Sequence, residues 1–93
     1  MKEIEIFYLT GCPYCGYARR AADELMAEDA RYAAVPLRWI EERENRALAD
    51  SRDYYYVPTV YCGGEKLYEC SPRHDYETVK NSLRAAFDTA LGV

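Results

Sequence analysis

Four side chains in this sequence are soft nucleophiles: Cys12, Cys15, Cys62 and Cys70. Two of them form the segment Cys12-Pro13-Tyr14-Cys15, whose spacing lets two thiols cycle between dithiol and disulfide. The other two do not form a close pair and do not match zinc-ligand spacing, and His74 is the sole histidine. In a reducing compartment paired thiols are catalytic or metal-binding rather than structural. The opening Met1-Lys2-Glu3-Ile4-Glu5 carries acids where an export signal needs an apolar run, so the expected location is cytoplasmic. Thiol–disulfide exchange is therefore the chemistry to expect.

Exchange needs one thiol held as an anion and a second within reach. A helix N-terminus supplies the first condition, because its first amides lack intrahelical partners and lie at the positive end of the helix dipole. Cysteines so placed ionise well below the ~8.5 of a free thiol. The sequence predicts this placement. Residues 3 to 9 alternate at first and turn wholly apolar from Ile6 to Leu9, the pattern of a central strand, and Thr10-Gly11 breaks it. From Pro13 onward Tyr14, Tyr17, Ala18, Ala21, Ala22, Leu25 and Met26 recur at helical spacing. Pro13 suits the first helical position, which leaves Cys12 as the N-cap. Cys12 then attacks, and Cys15, almost a turn further in, resolves.

The remaining elements must hold this junction. Residues 35 to 40 alternate and read as a second strand, at an edge because Pro36 cannot donate to a ladder. It completes a parallel βαβ unit. Residues 41 to 52 are charged and read as a short solvated helix. Thr59 to Cys62 and Glu65 to Cys70 form a hairpin across Gly63-Gly64. A two-residue turn sets Cys62 opposite Glu65 and, carried along the ladder, Cys70 opposite Val57. Tyr76, Val79, Leu83, Ala86, Phe87 and Ala90 mark a closing helix capped by His74 or Asp75. The order is βαβαββα, a single α/β domain over residues 1–93.

Thr10-Gly11-Cys12-Pro13-Tyr14-Cys15 after Ile6-Phe7-Tyr8-Leu9 resembles the active-site stretch of the dithiol glutaredoxins, within the thioredoxin superfamily. Val57-Pro58-Thr59 stands where that superfamily carries its cis-proline loop, and the element order matches from Lys2 to Leu91. The resemblance implies a thioredoxin-like fold with a four-stranded mixed sheet flanked by helices. It also implies that Pro58 is cis beside Cys12, with the backbone of Val57 free to pair with a bound thiol peptide. Tyr14 and Ser71 become further candidates for substrate contact. The implied substrate is a protein disulfide or a glutathione mixed disulfide. The electrons would come from glutathione as co-substrate or from a reductase, with no tightly bound cofactor and no metal.

Departures from the family pattern bear on the partner. Where glutaredoxins carry Gly-Gly, a small residue and Asp, this chain has Glu69-Cys70-Ser71-Pro72-Arg73-His74-Asp75, and Tyr56 replaces a common threonine. These changes favour a rival, a small redoxin served by thioredoxin reductase. A second rival, an iron–sulfur-binding glutaredoxin, is disfavoured because in the family a proline at position 13 goes with redox members.

Other residues have plainer readings. Cys62 is expected to act as a small buried hydrophobe. The run Tyr54-Tyr55-Tyr56 is expected to serve core and loop packing, and His74 to lie at the surface or cap a helix. Arg19 and Arg20 read as solvated helix charges, with Arg19, four residues after Cys15, within range of the site, and Cys70 is a candidate third redox thiol. A net charge of −4 argues against nucleic acid, and no apolar run reaches the ~18 residues of a membrane span.

Overall fold

A computed structural model describes residues 1–92. Strand β1 (Ile4–Tyr8) lies inside a four-stranded sheet. It runs parallel to β2 (Leu37–Glu41) and antiparallel to β3 (Thr59–Cys62), which pairs antiparallel with β4 (Glu65–Glu69). Ile4 and Ile6 point to one face of the sheet and Phe7 to the other, and all three are fully buried. A strand covered on both faces is thus what the apolar run at 6–9 encodes.

Helix α1 (Pro13–Glu28) and the closing helix α4 (Tyr76–Leu91) share a core with Ile4, Ile6, Val60 and Cys62. On α1 the buried positions are Cys15, Ala18, Ala21, Ala22 and Leu25, so small side chains let this helix sit close to its neighbours. Phe7, Ile40, Tyr61 and Ala49 form a second core on the opposite face, closed by the short helix α3 (Arg46–Asp50). A one-turn helix α2 (Ala30–Ala33) follows α1 and has no apolar period to announce it; the Asp29 side chain caps it by accepting from the Arg31 amide.

Two expectations change, and a third is decided between its alternatives. The second strand covers 37–41 rather than 35–40. It is an edge strand, but Pro36 precedes it, and the Pro36 carbonyl accepts from the Ile4 amide at 2.9 Å. Asp75, not His74, caps α4, accepting from the Thr78 amide at 2.8 Å. The hairpin register also slips. Gly63 and Gly64 both adopt positive φ (60° and 83°), as a tight primed turn requires, and Cys62 does face Glu65. A shift between Val60 and Tyr61 then sets Val60 opposite Tyr68 and Thr59 opposite Glu69. Leu67 is the extra residue of this bulge. Cys70 consequently falls opposite Pro58, its amide donating to the Pro58 carbonyl at 3.0 Å, and not opposite Val57.

Candidate functional site

The site is built where β1 hands over to α1. Gly11 turns the chain with φ +89°, a conformation that glycine adopts without a Cβ penalty. Cys12 is the N-cap of α1, extended at φ −78° and ψ 123°, with Pro13 at the first helical position. Its sulfur forms no capping bond to the helix amides, contrary to the expectation that those amides hold it. Instead the thiol donates to the Val57 carbonyl in a long contact of 3.9 Å. The Val57–Pro58 peptide is cis, and the loop carrying it lies beside Cys12.

Cys15 is a different kind of thiol. It is 6% exposed and accepts from the Leu9 amide at 3.5 Å. Burial above all pushes it up to about 12, against the weaker pull of that amide, with the neighbouring Cys12 adding to the rise. Cys12, by contrast, is partly exposed and borders open space on two sides.

One of these spaces is a groove of about 210 Å³ between Cys12, Tyr14, the 55–57 loop and residues 70–72. Tyr14 is half-buried here, and its hydroxyl donates to the Pro72 carbonyl at 2.6 Å, joining α1 to the loop before α4. Val57 and Ser71 both line this groove. Cys70 lines it too, but is 2% exposed, and burial pushes its thiol up. Cys62 is a buried strand residue, as expected.

The tyrosine run overturns its expectation in part. Tyr54 packs on Phe7, with ring centroids 5.4 Å apart, and serves the core. Tyr55 is 92% exposed and Tyr56 55% exposed, and both line the groove. Their amides donate to Glu69 Oε2 at 2.8 and 2.9 Å, while Lys66 Nζ bonds Glu69 Oε1 at 2.8 Å. Burial raises the Glu69 carboxyl, but Lys66 and the two amides together hold it below the usual range. Glu69 is thus a brace for the tyrosine loop. His74 likewise does more than sit at the surface: its Nδ1 accepts from the Ser71 amide at 3.2 Å and lies 2.7 Å from the Tyr68 hydroxyl, steadying the 71–74 turn.

The second space, about 520 Å³, lies on the other side of Cys12 and reaches Arg19 and Trp39. Arg19 does come to the site, its guanidinium 3.9 Å from the centroid of the Trp39 ring.

Glu41 is a site residue that the sequence reading missed. At the end of β2 it is 5% exposed; its Oε2 accepts from the Thr10 amide at 2.9 Å, and its Oε1 from the Arg43 amide at 2.6 Å. The Thr10 bond above all, helped by Arg43 against the cost of burial, holds this carboxyl down at about 2. Glu41 therefore fastens the loop that delivers Cys12. Its signal in the sequence is an acid ending the strand parallel to β1, visible only once the register Tyr8↔Glu41 is known.

No family model and no curated protein matches the chain. Solved structures do. One described as a malarial protein aligns over 98% of both chains with 17% identity and a TM-score of 0.67. A mutant thioredoxin from Halobacterium salinarum NRC-1 aligns over 90% of this chain and 73% of its own, with 22% identity and a TM-score of 0.59. Thioredoxin 1 from Thermosipho africanus TCF52B aligns over 96% of this chain and 98% of its own, with 18% identity and a TM-score of 0.56. The fold is thioredoxin-like, with a four-stranded mixed sheet flanked by helices.

Proposed function

We propose that this chain is a glutaredoxin-like thiol–disulfide oxidoreductase with Cys12 as nucleophile and Cys15 as resolving thiol. One observation carries the reading: the two thiols are three residues apart, yet one is open to two grooves and the other is buried and held protonated. The Cys12 thiolate attacks one sulfur of a substrate disulfide. A Cys12–substrate disulfide forms, the original S–S bond breaks, and the second half leaves with the electron pair as a thiolate. Cys15 then gives up its proton and attacks the Cys12 sulfur, releasing the remaining substrate thiolate and leaving a Cys12–Cys15 disulfide. Two electrons from glutathione or a flavin-dependent reductase return the pair to the dithiol. Alternatively, glutathione resolves the mixed disulfide directly. A reducing cytoplasm is the setting this cycle needs.

A second reading, a redoxin served by thioredoxin reductase, is favoured by one feature: among the described residues no Lys or Arg lines the groove beside Val57. Turnover of a small glutathione mixed disulfide should be followed with glutathione plus glutathione reductase, and separately with thioredoxin reductase. Cys12→Ser abolishes activity in both, while Cys15→Ser keeps the glutathione-dependent reaction and loses reduction of protein disulfides. Full activity of Cys12→Ser would refute the assignment.

A further inference from the structure

The groove between Cys12 and the tyrosine loop has a chemistry of its own. Tyr55 and Tyr56 hold large rings in solvent, although a Tyr ring buried against a partner removes roughly 150–250 Å² of surface from water. The backbone beneath them is fixed. Glu69 takes both amides, Lys66 holds Glu69, and the Thr59 hydroxyl donates to the Tyr56 carbonyl at 2.5 Å. The rings are therefore presented from a braced loop at no further ordering cost to the backbone. Across the groove stands Tyr14, itself anchored to Pro72.

Charge decides which ligand fits. Among the described residues no charged side chain lines this groove, and Glu69, which bonds the loop behind it, is spent on the Tyr55 and Tyr56 amides and on Lys66. A glutathionyl group brings two carboxylates, and placing them against tyrosine rings would strip their water with no cation in exchange. An extended, uncharged stretch of polypeptide brings no such cost. Its amides can pair with the Val57 carbonyl, whose contact within the chain is the long one from Cys12.

Resting on the redox reading above, we propose that the disulfide reduced here lies in an extended polypeptide with an apolar side chain beside its half-cystine. That side chain packs between Tyr14 and the Tyr55–Tyr56 pair while Cys12 attacks the sulfur. Tyr55 and Tyr56 are specificity-determining residues, and they discriminate against glutathione.

The test uses three mixed disulfides with 5-thio-2-nitrobenzoate: an uncharged pentapeptide with leucine on each side of its cysteine, the same peptide with serine in place of leucine, and glutathione. Cys12 attacks the peptide or glutathione sulfur, the S–S bond breaks, and yellow 5-thio-2-nitrobenzoate leaves with the electron pair. With pre-reduced protein, the second-order rate for the leucine peptide should exceed the other two by about tenfold, the scale of burying one apolar side chain. Tyr55→Ala/Tyr56→Ala should bring all three rates within about threefold of one another. The single Tyr55→Ala, at a position outside the core, should lose part of the preference with an unchanged melting curve. Equal rates in the wild type, or a preference that survives the double variant, would overturn this proposal and leave the redox reading standing. Failure to release 5-thio-2-nitrobenzoate from any of the three would remove the redox reading and this proposal together.

Discussion

At the scale of single residues the site rests on a contrast between two sulfurs of the same element. Cys12 caps α1 and is partly exposed; Cys15 sits on the inner face of that helix at 6% exposure. Iodoacetamide reports the contrast directly, since only an accessible thiolate alkylates. The native, reduced protein at about pH 9 should take one label, on Cys12. Cys15, held up at about 12, and the buried Cys62 and Cys70 should label only in urea. Mass spectrometry of the peptides reads this, and comparable labelling of Cys15 in the native protein would contradict the division of roles.

Elements set where those sulfurs stand. The loop from Tyr8 to Cys12 is tied to the end of β2 by the Glu41 carboxylate and by the Glu42 amide, which donates to the Tyr8 carbonyl at 2.9 Å. Glu41 titrates at about 2 in the fold against 4.5 ordinarily, so the folded state favours its ionised form. That stabilisation is complete above about pH 4.5 and is lost as pH falls towards 2. Urea midpoints of the wild type and Glu41→Gln should therefore differ most near neutrality and converge through this window. A gap that stayed constant down to about pH 3 would mean that Glu41 is not held as described. The variant should also slow reaction at Cys12, because Thr10 loses the charged acceptor that fixes its amide.

For the molecule as a whole, the two cores on either side of the sheet keep these elements in register. Phe87 of α4 is fully buried and stacked on Tyr32 of α2, with centroids 5.3 Å apart. Phe87→Ala should cost about 3–5 kcal/mol. That is a large part of the roughly 5–15 kcal/mol that stabilises a typical domain. It would be seen as a sharp fall in urea midpoint at unchanged slope. A loss below about 1 kcal/mol would show that α4 does not close this core. An ion-pair set between α1 and α4, Lys80 with Glu24 and Glu28, lies nearer the surface and contributes less.

Much of this was legible in the sequence because it is local. The apolar run of β1, the Pro13 that fixes the start of α1, the Gly63-Gly64 turn and the Cys12/Cys15 spacing each encode their structure within a few residues. What lay beyond reach depends on residues meeting from far along the chain. One extra residue at Leu67 moved Cys70 from opposite Val57 to opposite Pro58, because a ladder transmits each slip to everything after it. Glu41 reads as one more acid in a charged stretch until a parallel strand sets it beside Thr10. Tyr54, Tyr55 and Tyr56 are identical in type, and only the tertiary fold sends one ring into the core and leaves two in water beside Cys12. The chain alone determined which atoms can react, since that is a property of the side chains. The packed structure decided which surfaces can reach them, since exposure is a property of everything folded around them.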